Sequence, residues 1–293
     1  VRACSVCGFE SGGEVLLEGL TSIYALGKTY SIIMCPSCKI SWTRPQPTES
    51  ELSNSYASNY AFEVHRWVSR EKFIRARGLI RAAGIFSSNL KVLEIGTGGG
   101  ELASEVAKFV SYVHGCEIDT KSVDRANSFS GVTVKRADVR DFLGELPKNS
   151  YDVAIFSHTL EHFIDPLTIL KNTSDCLTET AKVLIVVPNR QASPKFFKKK
   201  WGYWQVPIHI THHSPESIMH LCDKAGLKVD RICFRRSDFM ALGSYILNIC
   251  NKKPAPVAPH SKVLGVLIST ISTLYGFTYR LGSQDMIVVA SKK

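Results

Sequence analysis

No uninterrupted apolar run in these 293 residues is long enough to cross a bilayer, although 44% of the chain is hydrophobic. The longest candidate, Val263–Phe277, is short and is broken by Ser269, Thr270, Ser272 and Thr273. A helix there can lie on a membrane surface, so peripheral membrane contact stays open, but a core-facing or lid helix is the stronger expectation. The first residues lack the basic-then-apolar layout of a secretory leader, and a cytoplasmic location is expected. Acidic residues are scarce: 26 Asp and Glu stand against 36 Lys and Arg, for a net charge of +10. That balance favours anionic partners such as nucleic acid, phosphorylated sugars or an anionic membrane face. An ordinary solvated basic surface explains it equally well. No Walker pattern supports a polyphosphate site.

Cysteine is present in an odd number, nine. Cys116, Cys176, Cys222, Cys233 and Cys250 are scattered in apolar surroundings and read as buried, inert thiols. The other four form two C-x-x-C knuckles, Cys4–Cys7 and Cys35–Cys38. Such pairs read as a four-cysteine zinc site, closed and therefore structural. Gly8 after the first knuckle and Pro36 inside the second suit tight turns. The stretch between holds alternating segments such as Tyr30–Met34, the pattern of a small zinc ribbon that needs its metal to fold. Disulfides or unrelated thiols are the alternatives.

The rest of the chain is organised around Lys91–Gly100, KVLEIGTGGG. A short apolar run meets a glycine cluster, and a helical segment, Glu101–Phe109, follows. This is the strand, tight turn and helix where nucleotide-like ligands sit in a doubly wound sheet. The dinucleotide fingerprint is G-x-G-x-x-G/A, but here Gly96, Gly98 and Gly100 are spaced G-x-G-x-G, and Glu101 stands where the third small residue belongs. Carboxylates at Glu94 and Glu101 suit a cationic ligand better than a pyrophosphate, which they would repel. A second strand, Tyr112–Cys116, leads to Glu117, about twenty residues beyond the glycines, where an acid holds a ribose diol. Asp119 caps the next helix. Strand three, Gly131–Val134, precedes Asp138. Strand four, Tyr151–Phe156, runs into Ser157–His162, and Asp165-Pro166 opens another helix. Strand five is Ala181–Val187, strand six Leu227–Phe234 and the last strand Met286–Ala290.

The E-x-G-x-G-x-G motif and the run LEHFIDP resemble class I S-adenosylmethionine (SAM) methyltransferases, specifically those that carry an N-terminal zinc ribbon. The resemblance implies an α/β fold: a doubly wound, mostly parallel seven-stranded sheet with a small ribbon in front. It implies SAM as cofactor, held by Glu94, Gly96, Thr97, Gly98, Gly100, Glu117, Ile118, Asp138, Val139 and Ser157. Asp138 would meet the adenine amino group. Zinc would sit on Cys4, Cys7, Cys35 and Cys38. The expected division is a ribbon over residues 1–48, a helical linker or lid over 49–89, and the methyltransferase domain over 90–293 with an acceptor-loop insert near 191–213.

The acceptor side is less specific. Lys195–Trp204 mixes lysines with aromatics that can stack on sugars, and Tyr56, Tyr60, Phe62, His65 and Trp67 are a second aromatic group. A small-molecule or glycan acceptor, phosphorylated or not, is expected. Methyl transfer to a hydroxyl needs a general base, and histidine titrates in the useful range. His209 is the first candidate and His158 the second, with His162 and Glu161 in support. His209 also matches the catalytic histidine of sugar C-methyltransferases, but Ile208 and Val206 replace that site's polar partners, so O-methylation is preferred. A zinc-ribbon nucleic-acid binder with a vestigial cofactor fold is the competing reading. It is disfavoured because only Lys39 adjoins the knuckles. An NAD-dependent oxidoreductase is disfavoured by Glu101.

Overall fold

The structure is a computed structural model. It describes residues 3–10, 12–22, 27–48, 50–52, 78–81, 83–85, 87–193, 199, 201, 203–235 and 285–293. The aromatic group Tyr56–Trp67, most of Lys195–Lys200, the Asn251–His260 loop, Cys250 and the Val263–Phe277 helix lie outside the described residues. The chain forms two compact units, one made of Val1–Ser58, Pro188–Ile218 and Phe234–Met286, the other of Asn59–Val187, Met219–Cys233 and Ile287–Lys293.

The first unit is built on a four-stranded sheet. Its strands are β1 (Glu14–Thr21), β2 (Thr29–Met34), β3 (Ser41–Arg44) and β9 (Thr211–His212), in the order β1-β2-β3-β9. All three pairings are antiparallel. Tyr30 and Ile32 alternate onto one face of β2 and pack with Leu20, Trp201, Tyr203, Trp204 and Val206. β3 pairs with β9 through Ser41↔His212 and Trp42↔Thr211. A residue stretch far down the chain therefore completes the N-terminal sheet. Thr48 and Glu51 form a capping box: Thr48 N–H donates to Glu51 Oε2 at 2.9 Å and Glu51 N–H to Thr48 Oγ1 at 3.2 Å.

The second unit holds a seven-stranded sheet, as the sequence pattern requires. Its strands are β4 (Lys91–Ile95), β5 (Tyr112–Glu117), β6 (Val132–Arg136), β7 (Tyr151–Ser157), β8 (Leu177–Pro188), β10 (Leu227–Arg235) and β11 (Asp285–Lys292), in the order β10-β11-β8-β7-β4-β5-β6. The pairs β4–β5, β4–β7, β5–β6 and β7–β8 are parallel. The order reverses at β4, which puts a topological switch point at its carboxyl end. The connecting helices are α1 (Glu101–Val106), α2 (Thr120–Asn127), α3 (Val139–Glu145) and α4 (Pro166–Cys176), with α5 (Pro215–Lys224) preceding β10. Asp119 caps α2 by accepting from Ser122 N–H, and Asp165 caps α4 with Pro166 at its first position. Val92, Val113, Val153, Ile155 and Leu184 of the strands pack with Leu102, Ala103 and Val106 of α1 in one core. The strands buried on both faces are rich in Val, Ile and Leu, as a covered parallel sheet demands.

Several boundaries differ from the sequence reading, three of them with a clear physical reason. α1 stops at Val106 instead of Phe109, because its buried stripe of Leu102, Ala103 and Val106 ends there and Phe109 is left exposed. β8 starts at Leu177, four residues before the expected Ala181. The polar Thr178-Glu179-Thr180 looks like a loop, but Lys292 of β11 meets Glu179 at 2.9 Å and the Leu177 carbonyl at 3.1 Å. β11 runs to Lys292 for the same reason. Of the scattered cysteines, Cys116, Cys176 and Cys222 are buried, and burial pushes Cys116 and Cys222 up to about 12, so they stay protonated.

His114 on β5 is a half-buried histidine with a defined role. Its Nδ1 lies 2.7 Å from the Tyr151 hydroxyl, and its ring meets Phe142 edge-on at 5.0 Å. Burial, with help from Lys135, holds its pKa below the usual value. A depressed folded-state pKa means that the unfolded chain takes the proton first. The stability contributed is complete above about pH 6.5 and is lost as pH falls towards the folded-state value. The urea midpoint should therefore fall between about pH 7 and pH 5, and fall less in His114→Phe. An equal drop in both proteins would show that His114 is not the group responsible.

Candidate active site

The loop after β4 is shaped by three left-handed glycines: Gly96 at φ 72°, Gly98 at 53° and Gly100 at 80°. Side chains rarely adopt these values. Gly96 has a second constraint. A Cβ there would stand 2.5 Å from Cγ2 and 2.7 Å from Oγ1 of Thr159. The loop is tied down by its own backbone: Gly96 and Thr97 donate to the Cys116 carbonyl at 3.0 and 3.2 Å, and Gly100 donates to the Thr97 carbonyl at 3.1 Å.

Glu117, at the end of β5, binds this loop directly. Its Oε2 accepts from Gly98 N–H at 2.9 Å, while Oε1 accepts from Ile118 and Asp119 N–H at 2.8 and 3.1 Å. A carboxylate offers about four acceptor positions, so one remains for a hydroxyl of a ligand. Glu94 is buried on β4, level with Gly115 and Ile155 on the neighbouring strands. Glu101 behaves differently from the sequence argument. Its buried carboxylate pairs with Arg125 of α2 at 3.0 Å, so its charge is matched within the protein and does not select a cationic ligand. Asp138 caps α3 by accepting from Arg140 N–H, and the Arg140 guanidinium meets it at 3.0 Å. That guanidinium holds the Asp138 carboxyl below the usual range. Val139 follows as the first, buried residue of α3, and Ile118 is half exposed beside Glu117.

The carboxyl end of β7 supplies the next group. Ser157 closes the strand. His158 then takes φ 55°, a left-handed conformation that is uncommon for a non-glycine residue. Its N–H donates to the Val186 carbonyl at 2.9 Å, and its Nδ1 lies 3.4 Å from Oε1 of the buried Glu161. Glu161 and His162 sit on a single 3-10 turn, Leu160–His162. One sheet edge thus carries Gly96–Gly100, Glu117, Asp138 and Ser157–Glu161. The fit to SAM rests on the strand-turn-helix loop that a Cβ at Gly96 would crowd, and on the Glu117 carboxylate with an acceptor position left for a hydroxyl.

The remaining candidates belong to the first unit. The sulfurs of Cys4, Cys7, Cys35 and Cys38 all lie within 4.8 Å of one another. Cys4–Cys38 and Cys7–Cys35 are 3.6 and 3.5 Å apart, too long for a disulfide bond. A tetrahedral ion with metal–sulfur bonds of about 2.3 Å requires edges of about 3.8 Å, so the four thiols fit a zinc ion. His209 is buried. Its Nδ1 is 2.7 Å from the Tyr203 carbonyl, which can only accept, so Nδ1 carries the hydrogen and Nε2 the lone pair of the neutral ring. Thr43 fixes the backbone beside it, donating to the His209 carbonyl at 2.7 Å. Having spent its proton, the Thr43 hydroxyl accepts from His212 Nε2 at 3.0 Å. Thr43 was not a candidate from sequence. It stands 166 residues from His209, and nothing in its neighbourhood marks it. Pro188, Arg190, Trp201, His209, Thr211 and His212 line a narrow crevice.

The fold and the loop chemistry are those of a class I SAM-dependent methyltransferase. A methyltransferase-domain family matches residues 65–232, and the chain belongs to that family. The ubiquinone biosynthesis O-methyltransferase of Actinobacillus pleuropneumoniae is 30% identical over 118 residues, 38% of this chain. The chain spans 50% of that relative's length. A methyltransferase of Mycobacterium bovis is 27% identical over 158 residues, 50% of this chain and 80% of its own. Among solved structures, a SAM-dependent methyltransferase from Archaeoglobus fulgidus shares the fold with a TM-score of 0.53 at 20% identity, covering 75% of this chain and 94% of that one. A Haloferax volcanii methyltransferase complex with the Trm112 activator gives a TM-score of 0.59 at 12% identity, covering 80% and 96%. Among the described residues, no helix is long and apolar enough to cross a membrane.

The Gly96–Thr159 contact gives a direct test of the loop. Gly96→Ala combines a left-handed backbone with a clash and should cost about 1–3 kcal/mol in chemical denaturation. Thr159→Ala removes the two nearest atoms, so the double variant should cost clearly less than the sum of the two single changes. Simple additivity would show that the contact does not shape the loop.

Proposed function

We propose that the protein transfers a methyl group from SAM to a hydroxyl of a small molecule or glycan, with a histidine as general base. The observation that carries the reading is the Glu117 carboxylate, which binds the glycine loop through Gly98 and keeps an acceptor position for a ribose hydroxyl. The names of the curated relatives support transfer to oxygen, and the basic composition supports an acceptor bearing negative charge. Bound SAM would supply an electrophilic methyl group on a sulfonium. Glu94, Gly96, Thr97, Gly98, Gly100, Ile118, Val139 and Ser157 would shape its site. Asp138 would accept from the adenine amino group, and Arg140 keeps that carboxyl ionised.

The acceptor must lose its hydroxyl proton as the new bond forms. His209 is our first assignment for the base. Its Nδ1–H is fixed on the Tyr203 carbonyl, which leaves the lone pair on Nε2. A second reading has an observation of its own: His158 takes a left-handed backbone at the sheet edge, and Glu161 orients its ring. His162 then supports rather than reacts. Zinc on Cys4, Cys7, Cys35 and Cys38 would be structural. Because β9 is the fourth strand of the ribbon's sheet, the metal would also brace the segment that carries His209.

The test is turnover with labelled SAM against hydroxyl acceptors, including catechols and sugar phosphates, with the product atom identified by mass spectrometry. An O-methyl product is expected. His209→Ala should lower kcat by about 10²–10⁴-fold with SAM affinity unchanged. Full turnover in folded His209→Ala, together with loss in His158→Ala, would move the base to His158. A C-methyl product would contradict transfer to oxygen. For the metal, elemental analysis should find one zinc per chain, and Cys35→Ser should destabilise the first unit before the second. A folded, zinc-free first unit would refute the structural assignment.

A further inference from the structure

Among the described residues of the first unit, some buried donors have no acceptor. Trp201 is 5% exposed, and among the described residues its indole Nε1–H has no hydrogen-bond partner. Arg190 uses one terminal nitrogen on the Lys39 carbonyl at 3.2 Å, but its buried Nε has no partner among the described residues. Both residues line the same crevice, together with His209 and His212. Leaving a buried donor unpaired costs about 1–3 kcal/mol, and more for a charged one. Two such donors on one crevice are expensive unless something accepts from them.

The local structure explains why they stay there. Arg190 opens a 3-10 turn that Asn189 caps by accepting from Gln191 N–H. Its own N–H donates to the His213 carbonyl at 2.8 Å. The residue is pinned at its backbone and at one terminal nitrogen, so the guanidinium cannot swing out to water freely. Burial lowers its pKa, opposed by the field of Glu216, yet the group stays charged at neutral pH. Trp201 is held by Trp204 edge-on at 4.9 Å and by Tyr203 at 5.4 Å.

We propose that Arg190 and Trp201 form an oxyanion-recognition site that binds a phosphate or carboxylate group of the acceptor. The proposal deepens the methyltransferase reading, because it assigns this crevice to the acceptor. A planar guanidinium edge and an indole N–H together offer the donors that such a group accepts from. Chemistry also favours an anion over a neutral hydroxyl: an uncharged group would satisfy the indole but form no doubly charge-matched hydrogen bond with the guanidinium. The net charge of +10 would draw such acceptors in.

The test uses the full chain with zinc, without SAM and without turnover. The indole N–H resonances of its four tryptophans are followed by 15N NMR while inorganic phosphate, acetate and neutral glucose are titrated separately. The Trp201 resonance is assigned with Trp201→Phe. Saturable movement of that resonance with phosphate or acetate, and none with glucose, is expected, and the anion that acts identifies the group. Arg190→Gln should weaken binding at least tenfold. Arg190→Lys, which keeps the charge and guards against a folding defect, should fall between the two. No movement with either anion, or equal affinity in wild type and Arg190→Gln, would overturn the proposal. SAM binding measured on the same samples separates the outcomes: SAM without anion binding refutes only the acceptor site, and anion without SAM binding refutes the methyltransferase reading.

Discussion

The carboxylate of Glu117 ties two parallel strands together at the point where a ligand must bind. It ends β5, accepts from Gly98 in the loop after β4, and accepts from the two residues that lead into α2. If that carboxylate were absent, three N–H groups would lose their acceptor at once. The left-handed glycines allow the loop to reach it, and Thr159 packs over Gly96 to hold the loop's other side. Carboxylates and glycines thus act as one device. The glycines make the path possible, and Glu117 selects it.

Much of this was legible in the sequence because it is local. The apolar run adjoins its glycines and the caps Asp119 and Asp165 lie within a few residues of what they bind, while the acid about twenty residues on follows the regular strand-helix-strand spacing. The seven-stranded sheet follows from repeated strand-helix units. The C-x-x-C pairs pointed to a cysteine cluster because each knuckle is local, and the structure does bring all four sulfurs together.

What was illegible depends on partners far away in the chain. Glu101 reads as a charge offered to a ligand, but Arg125 takes it. The polar start of β8 reads as a loop until Lys292 is placed beside Glu179. The pairing of β3 with β9 has no local signature, since neither short strand announces its neighbour. The same holds for the Thr43 hydroxyl, which links the His209 backbone to the His212 ring. In each case the deciding interaction is a contact between residues distant in the chain, and sequence periodicity carries no trace of it. The left-handed backbone of His158 is equally silent in sequence.

Calorimetric titration of the folded chain with SAM and with S-adenosylhomocysteine, with NAD as control, tests the central claim most directly. Saturable binding of both adenosyl ligands, none of NAD, and a loss of at least tenfold in Glu117→Ala are expected. Absence of adenosyl binding in a folded sample, or undiminished binding in Glu117→Ala, would contradict the role given to this carboxylate.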